Sequence, residues 1–296
     1  MYLKHYGLNV LPFTITPDTD FFLNRAGYQD ALNVLLVALR TGEGFIKVTG
    51  EVGVGKTLLC RKLLKSLKND FKCAYIFNPY LQPDTLLFAI ADELGVNYEP
   101  ITNRHALQKK ITKALLNIHA NGKRVVLCLD EVQAMPVQTL ETLRLLTNIE
   151  TEKRKLIQVV LFGQPELDVL LEQPSIRQLK QRITFAYVLK PLNRQAMKSY
   201  LRHRLAVAGY KGRDLFADSA LDYLHRASKG IPRMINILSH KAMLVVYGRG
   251  EHLIKVKHLQ IAVEDSPEAE PVKRFSLFNG APAIMRWMSA SLGMSR

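Results

Sequence analysis

The chain has 296 residues, enough for one large domain or a large domain with a small one. Apolar residues make up 48% and charged residues 23%, a balance that excludes wholesale disorder, collagen and a coiled coil. Lys and Arg number 41 against 26 Asp and Glu, and the resulting +15 favours phosphates, nucleic acid or an anionic membrane face without choosing among them. In chain order, short apolar runs alternate with longer helical patterns. Strands are predicted at GFIKVT (44–49), KCAYIF (72–77), RVVLCLD (124–130), LIQVVLF (156–162) and ITFAYVL (183–189). Helices are predicted near 57–68, 84–94, 104–120 and 137–149, with shorter pieces across 165–180. This alternation indicates βαβ units and a mainly parallel sheet. The near-continuous Val, Leu and Ile of 125–129 and 157–162 predicts central strands covered on both faces.

From 193 onward the pattern is helical, over 193–208, 217–228, 232–247 and 256–264, with Gly209, Gly212, Gly230 and Gly248 at the breaks. Residues 190–265 hold 14 basic and 6 acidic residues, a net +8, so composition changes near 190. A second change falls at DSPEAEP, read as an acidic, Pro-bounded linker. The expected organisation is an α/β domain (1–190), a helical domain (191–265), and a linker and tail (266–296). In the tail, Ile284, Trp287, Met288 and Leu292 share one helical face. They mark either a helix for a partner or an anionic membrane, or a frayed end or self-packed helix.

Three cysteines, Cys60, Cys73 and Cys128, are too few and too scattered for a disulfide framework and fit a reducing compartment. No apolar run approaches the ~18 residues of a membrane span, and the start, MYLKHYGLNVLPF, lacks a signal-peptide core. The expected location is therefore the cytoplasm, including the periphery of the inner membrane. His252 and His258 lack metal-ligand spacing.

The most specific motif is Gly50-Glu51-Val52-Gly53-Val54-Gly55-Lys56-Thr57, followed by Leu58. It matches G-x-x-x-x-G-K-S/T between an apolar strand and an apolar helix. Glycines at 50, 53 and 55 permit a tight loop with inward N–H groups, which together with the helix N-terminus cradle phosphate. Lys56 then reaches the β- and γ-phosphates, and Thr57 ligates Mg²⁺. The strand at 125–129 delivers Asp130 and Glu131. Asp130 is the second metal anchor, and Glu131 is the general base that polarises water. Together these signals predict Mg²⁺-dependent nucleotide hydrolysis rather than mere nucleotide binding. Gln133 either orients a water or senses the γ-phosphate, or is an ordinary polar surface residue.

These residues resemble the AAA+ ATPases of the general secretion pathway A family. The resemblance rests on residues 6–23 and 42–61, LDEVQAM (129–135), residues 143–167 with FGQPEL, residues 179–192, and GIPRMINIL (230–238). It implies a P-loop NTPase with strand order 5-1-4-3-2 followed by a helical lid. It assigns Gln164 as the γ-phosphate sensor, although most AAA+ proteins carry Asn, Ser or Thr there. Arg182, with Arg177 as the weaker alternative, becomes an arginine finger acting in a neighbouring subunit, and Arg233 the lid arginine. Tyr6, Pro12, Phe13 and Ile15 lie near the adenine or are ordinary core. The resemblance further implies a homo-oligomer whose partners are pilus or secretion assembly proteins at the inner membrane, most like forms serving a mannose-sensitive haemagglutinin type IV pilus. The alternative is a DNA-binding AAA+ ATPase that regulates transposition.

Overall fold

In a computed structural model of the chain, the described residues are 2–16, 19–21, 26–67, 70–78, 80–99, 103–150 and 155–271. The helical expectation for the 273–296 tail lies outside them. Two helices precede the sheet, α1 (Leu3–Tyr6) and α2 (Ala26–Thr41). Then come β1 (Phe45–Thr49), α3 (Lys56–Leu67), β2 (Phe71–Ile76), α4 (Pro83–Leu94) and α5 (Arg104–Ala120). They are followed by β3 (Arg124–Leu129), α6 (Val137–Leu146), β4 (Ile157–Gly163), α7 (Glu166–Leu171), α8 (Arg177–Lys180) and β5 (Ile183–Val188). The chain continues with α9 (Arg194–Val207), α10 (Asp218–Ser228), α11 (Pro232–Gly248) and α12 (Val256–Glu264). Two compact units result. One is Asn24–Val52 with Lys56–Lys190; the other is Met1–Leu23, Gly53–Gly55 and Pro191–Arg296.

The α/β unit is a five-stranded parallel sheet in the order β2-β3-β4-β1-β5, the predicted order read from the other edge. Every residue of β4 and five of the six in β3 are buried, because helices cover both faces of these central strands. On β5, an edge strand, most side chains are partly or fully exposed. The core gathers Leu86, Leu87 and Ile90 of α4, Leu107, Ile111 and Leu115 of α5 and the apolar residues of β3 and β4. Burying each such side chain is worth about 1.5–3 kcal/mol. Cys60 and Cys128 are buried, and the hydrogen bond between their thiols, followed by burial, raises Cys60 well above the ordinary thiol range. A thiol so placed is inert.

The long helix α2 was not among the predicted elements, although Ala31, Leu32, Leu35, Ala38 and Leu39 give it a fully apolar stripe. Its C-terminal carbonyls are satisfied from the sheet. Gln158 Nε2 donates to Leu39 O (3.0 Å) and Glu43 O (2.8 Å), and Arg124 Nη1 donates to Leu39 O and Arg40 O.

The second unit packs α9–α12 around Met197, Leu201, Leu224, Ile235, Leu238, Met243 and Leu259. The N-terminal segment belongs to this core. Tyr6 and Phe13 are buried, and Tyr6 OH donates to Met243 O at 3.0 Å, whereas Ile15 is exposed. Arg204 is buried beneath that segment. Its guanidinium donates to Pro12 O at 2.5 Å and Thr14 Oγ1 at 3.2 Å and stacks over Phe21. Two ion pairs join α9 to α10, Arg194–Asp222 and Lys198–Asp218, and a third, Arg202–Asp214, joins α9 to the loop before α10. The first two follow from one-turn spacing on both helices. Residues 266–271, expected as a linker, are held on this unit. Ala269 is buried, Glu270 pairs with Lys229, and Lys241 Nζ bonds Ser266 Oγ at 2.7 Å. The acidic residues of this stretch meet lysines of the unit, which is why it does not run free.

Candidate active site

Three adjacent parallel strands, β3, β4 and β1, end on the same edge of the sheet, where open α/β sheets bind ligands. After β1 the chain turns through residues 50–55 into α3. Gly53 (φ +78°) and Gly55 (φ +102°) take the left-handed conformation that side chains resist; Gly50 does not, and instead its N–H donates to Gly163 O at 3.3 Å. Lys56 is the first residue of α3 and is buried. Its Nζ donates to Gly50 O at 2.7 Å and Glu51 O at 3.1 Å. Burial lowers the Lys56 pKa, opposed by the negative charges of Glu131, Asp130, Glu51 and Glu166. The Lys56 ammonium beside the N–H groups that open α3 suits a polyanion.

Thr57 Oγ1 donates to Asp130 Oδ2 at 2.7 Å, joining the loop to the end of β3. The other oxygen of Asp130 accepts the Glu131 N–H at 3.0 Å, and Tyr75 OH approaches Oδ2 at 3.4 Å. Burial, then the charge of Asp130, raises the Tyr75 pKa, so this phenol stays a donor. Tyr75 was missed by sequence reasoning. Its only signal is its place on β2, whose neighbour is β3.

Glu131 has φ 54° and ψ 37°, a left-handed backbone rare for a residue with a side chain. Its Oε2 accepts from Gln133 Nε2 at 2.7 Å and from Gln164 Nε2 at 3.0 Å. Burial pushes the carboxyl pKa up, but the two amide bonds and the Lys56 charge outweigh it, and the net shift is downward. Glu131 is therefore an anion at neutral pH, as a base must be. The structure thus brings together Lys56, Thr57, Asp130, Glu131 and Gln164.

Arg182 Nη1 donates to Arg144 O at 3.1 Å and Thr147 Oγ1 at 3.3 Å, at the C-terminal turn of α6, where a cation is favoured. Arg177 is exposed at the start of α8. Arg233 is exposed in the first turn of α11, and its N–H donates to Gly53 O at 3.1 Å within the second unit. Leu58 is partly buried and Val52 exposed, so both would contribute backbone rather than side chains to the loop.

Thr57 and Asp130 offer a hydroxyl and a carboxylate, the hard oxygen donors that suit Mg²⁺. Among the described residues no cluster of three or more His, Cys, Asp or Glu could hold a metal.

Residues 39–171 match the AAA domain model. Over 263 residues, 89% of this chain and 48% of the relative, the sequence is 44% identical to general secretion pathway protein A of Aeromonas hydrophila. The chain carries an AAA domain and is similar, over most of its own length, to general secretion pathway protein A. It spans about half the length of that relative. Solved AAA+ structures share the fold. Cdc6p of Pyrobaculum aerophilum aligns at TM-score 0.64 and 17% identity, over 83% of this chain and 70% of its own. The Aeropyrum pernix ORC1 protein in complex with DNA aligns at 0.59 and 19%, over 86% and 69%. The fold is that of a P-loop ATPase module.

Proposed function

We propose that this chain binds ATP with Mg²⁺ and hydrolyses it, and that the cycle serves assembly of a secretion apparatus or a type IV pilus of the mannose-sensitive haemagglutinin kind. The observation that carries the chemistry is the contact of Thr57 with Asp130, beside a Glu131 carboxylate held by Gln133 and Gln164. In this reading the amides of residues 50–58 cradle the phosphates, and Lys56 leaves its loop carbonyls for the β- and γ-oxygens. Thr57 and Asp130 hold the metal, which supplies charge neutralisation at the phosphates when bound. Glu131 takes the proton from water, and Gln164 reads the γ-phosphate. Arg233 of the lid and Arg182, or Arg177, of a neighbouring copy would bring further positive charge, which makes the active form a homo-oligomer.

A multiple-turnover phosphate-release assay tests this. Wild-type protein should release phosphate from ATP only with Mg²⁺, and Lys56→Ala should lose nucleotide binding; release unchanged in Lys56→Ala would refute the site. For the partner, the 44% identity to general secretion pathway protein A supports a secretion role. Among the described residues no helix is long and apolar enough to cross a membrane.

The second reading, a DNA-binding ATPase that regulates transposition, is favoured by the likeness to the DNA-bound ORC1 protein and by the basic helical unit. The three ion pairs on α9 weigh against it, since those cations already have partners. A duplex titration at several salt concentrations separates the two. Tight binding with a steep salt slope selects DNA; none near physiological salt selects secretion.

A further inference from the structure

Gln133 stands two residues beyond Glu131, on a 3-10 turn that spans Val132–Ala134. Both ends of its amide are used. Nε2 donates to Glu131 Oε2 at 2.7 Å, and Oε1 accepts the backbone N–H of Gln164 at 2.9 Å. The seat is shaped from the other side by Gly163, the last residue of β4. A Cβ there would come within 3.2 Å of Gln133 Oε1 and 2.7 Å of Leu167 Cδ2. One side chain therefore bridges the end of β3 to the end of β4 through the carboxylate that acts on water and the residue that reads phosphate. Glu131 otherwise has three side-chain torsions and a backbone in the left-handed region, so nothing in its own chain fixes the carboxylate. Two donors on Oε2 fix it and leave Oε1, which has no partner among the described residues, as the oxygen presented to water.

Resting on the reading of Glu131 as base, we propose that Gln133 is a positioning residue for hydrolysis. It holds the Glu131 carboxylate and locks the Gln164 backbone to it, so that phosphate sensing and water activation share one frame. Because it would act through Glu131 and touch neither nucleotide nor metal, its removal should slow turnover without weakening binding.

The test compares wild type, Gln133→Leu, Glu131→Gln and the double variant by steady-state phosphate release and by binding of a non-hydrolysable ATP analogue. Gln133→Leu should lower kcat by roughly tenfold to a hundredfold, part of what a positioned base contributes. KM and analogue affinity should stay within about twofold. In the Glu131→Gln background the same change should cost nothing further. Gln133→Glu keeps an acceptor for the Gln164 N–H and a similar volume but removes the donor. It should lose kcat as well, and it serves if Gln133→Leu lowers the thermal midpoint. A wild-type kcat in either folded variant overturns the proposal, as does a KM that rises in step or a further loss on top of Glu131→Gln. If Glu131→Gln itself turns over normally, the underlying assignment of the base falls, and this role for Gln133 falls with it.

Discussion

Replacing Glu131 by Gln removes the base and almost nothing else. The carboxylate oxygen that Gln133 and Gln164 hold would become an amide oxygen, still an acceptor for both. The new NH₂ would take the place of Oε1, which bonds no described residue. The backbone strain at φ 54° is common to both side chains. The fold should survive with a thermal midpoint within about 4 °C of wild type, the shift expected for at most ~1 kcal/mol in a protein of this size. Binding should survive too, because the phosphate cradle and Lys56 are untouched. Catalysis should not survive. A positioned base is worth roughly 10²–10⁴ in rate, or about 3–5 kcal/mol of barrier at ~1.4 kcal/mol per tenfold. The assay is multiple-turnover phosphate release beside titration with a fluorescent ATP analogue. Turnover within about threefold of wild type in a variant that binds normally would remove Glu131 as the base.

Three further outcomes are expected. Arg182→Ala should reduce turnover, and mixing it with Lys56→Ala protein should recover part of the activity if the finger acts in trans; no recovery in mixtures that co-assemble would count against it. Gly230→Ala should destabilise the helical unit by roughly 2–4 kcal/mol in a denaturant melt, since φ is +73° and the new Cβ would lie 2.1 Å from Leu192 O. That carbonyl cannot swing away cheaply, because Leu192 N–H is bonded to Gly230 O and His225 Nε2 meets Leu192 O at 2.9 Å. Finally, the unit should lose stability as pH falls. Burial lowers the His258 pKa, with Glu251 partly opposing, and burial alone lowers His240. The unfolded chain therefore takes up protons near pH 6.5 before the folded one does. Stability should be complete above that value and drop below it by as much as ~1.4 kcal/mol per pH unit for each histidine. His258→Asn, which keeps an acceptor for the Lys255 N–H, should flatten the slope, and an unchanged slope would contradict this account.

The phosphate loop was legible in the sequence because its chemistry is local: glycines at fixed offsets, a lysine and a threonine between a strand and a helix need no distant partner to be recognised. The five strands and their order were legible for a related reason, since apolar runs and family motifs repeat along the chain. Helix α2 went unread although its stripe is regular, because its C-terminal end is capped by Gln158 and Arg124, more than eighty residues away. The same limit explains Tyr75 and Gln133. A tyrosine on β2 becomes a neighbour of Asp130 only when β2 pairs with β3, and Gln133 meets Gln164 only when β3 and β4 lie side by side. Charge shows it most plainly. The sequence determined a basic protein with a phosphate loop, whereas tertiary structure decided which cations were already spoken for: Arg194 and Lys198 by α10, Arg202 by Asp214 in the loop before it, Arg204 by buried carbonyls, Arg182 by the end of α6. Net charge is a sum over residues, but the field a partner meets depends on which opposite charges and dipoles the fold has set beside each one.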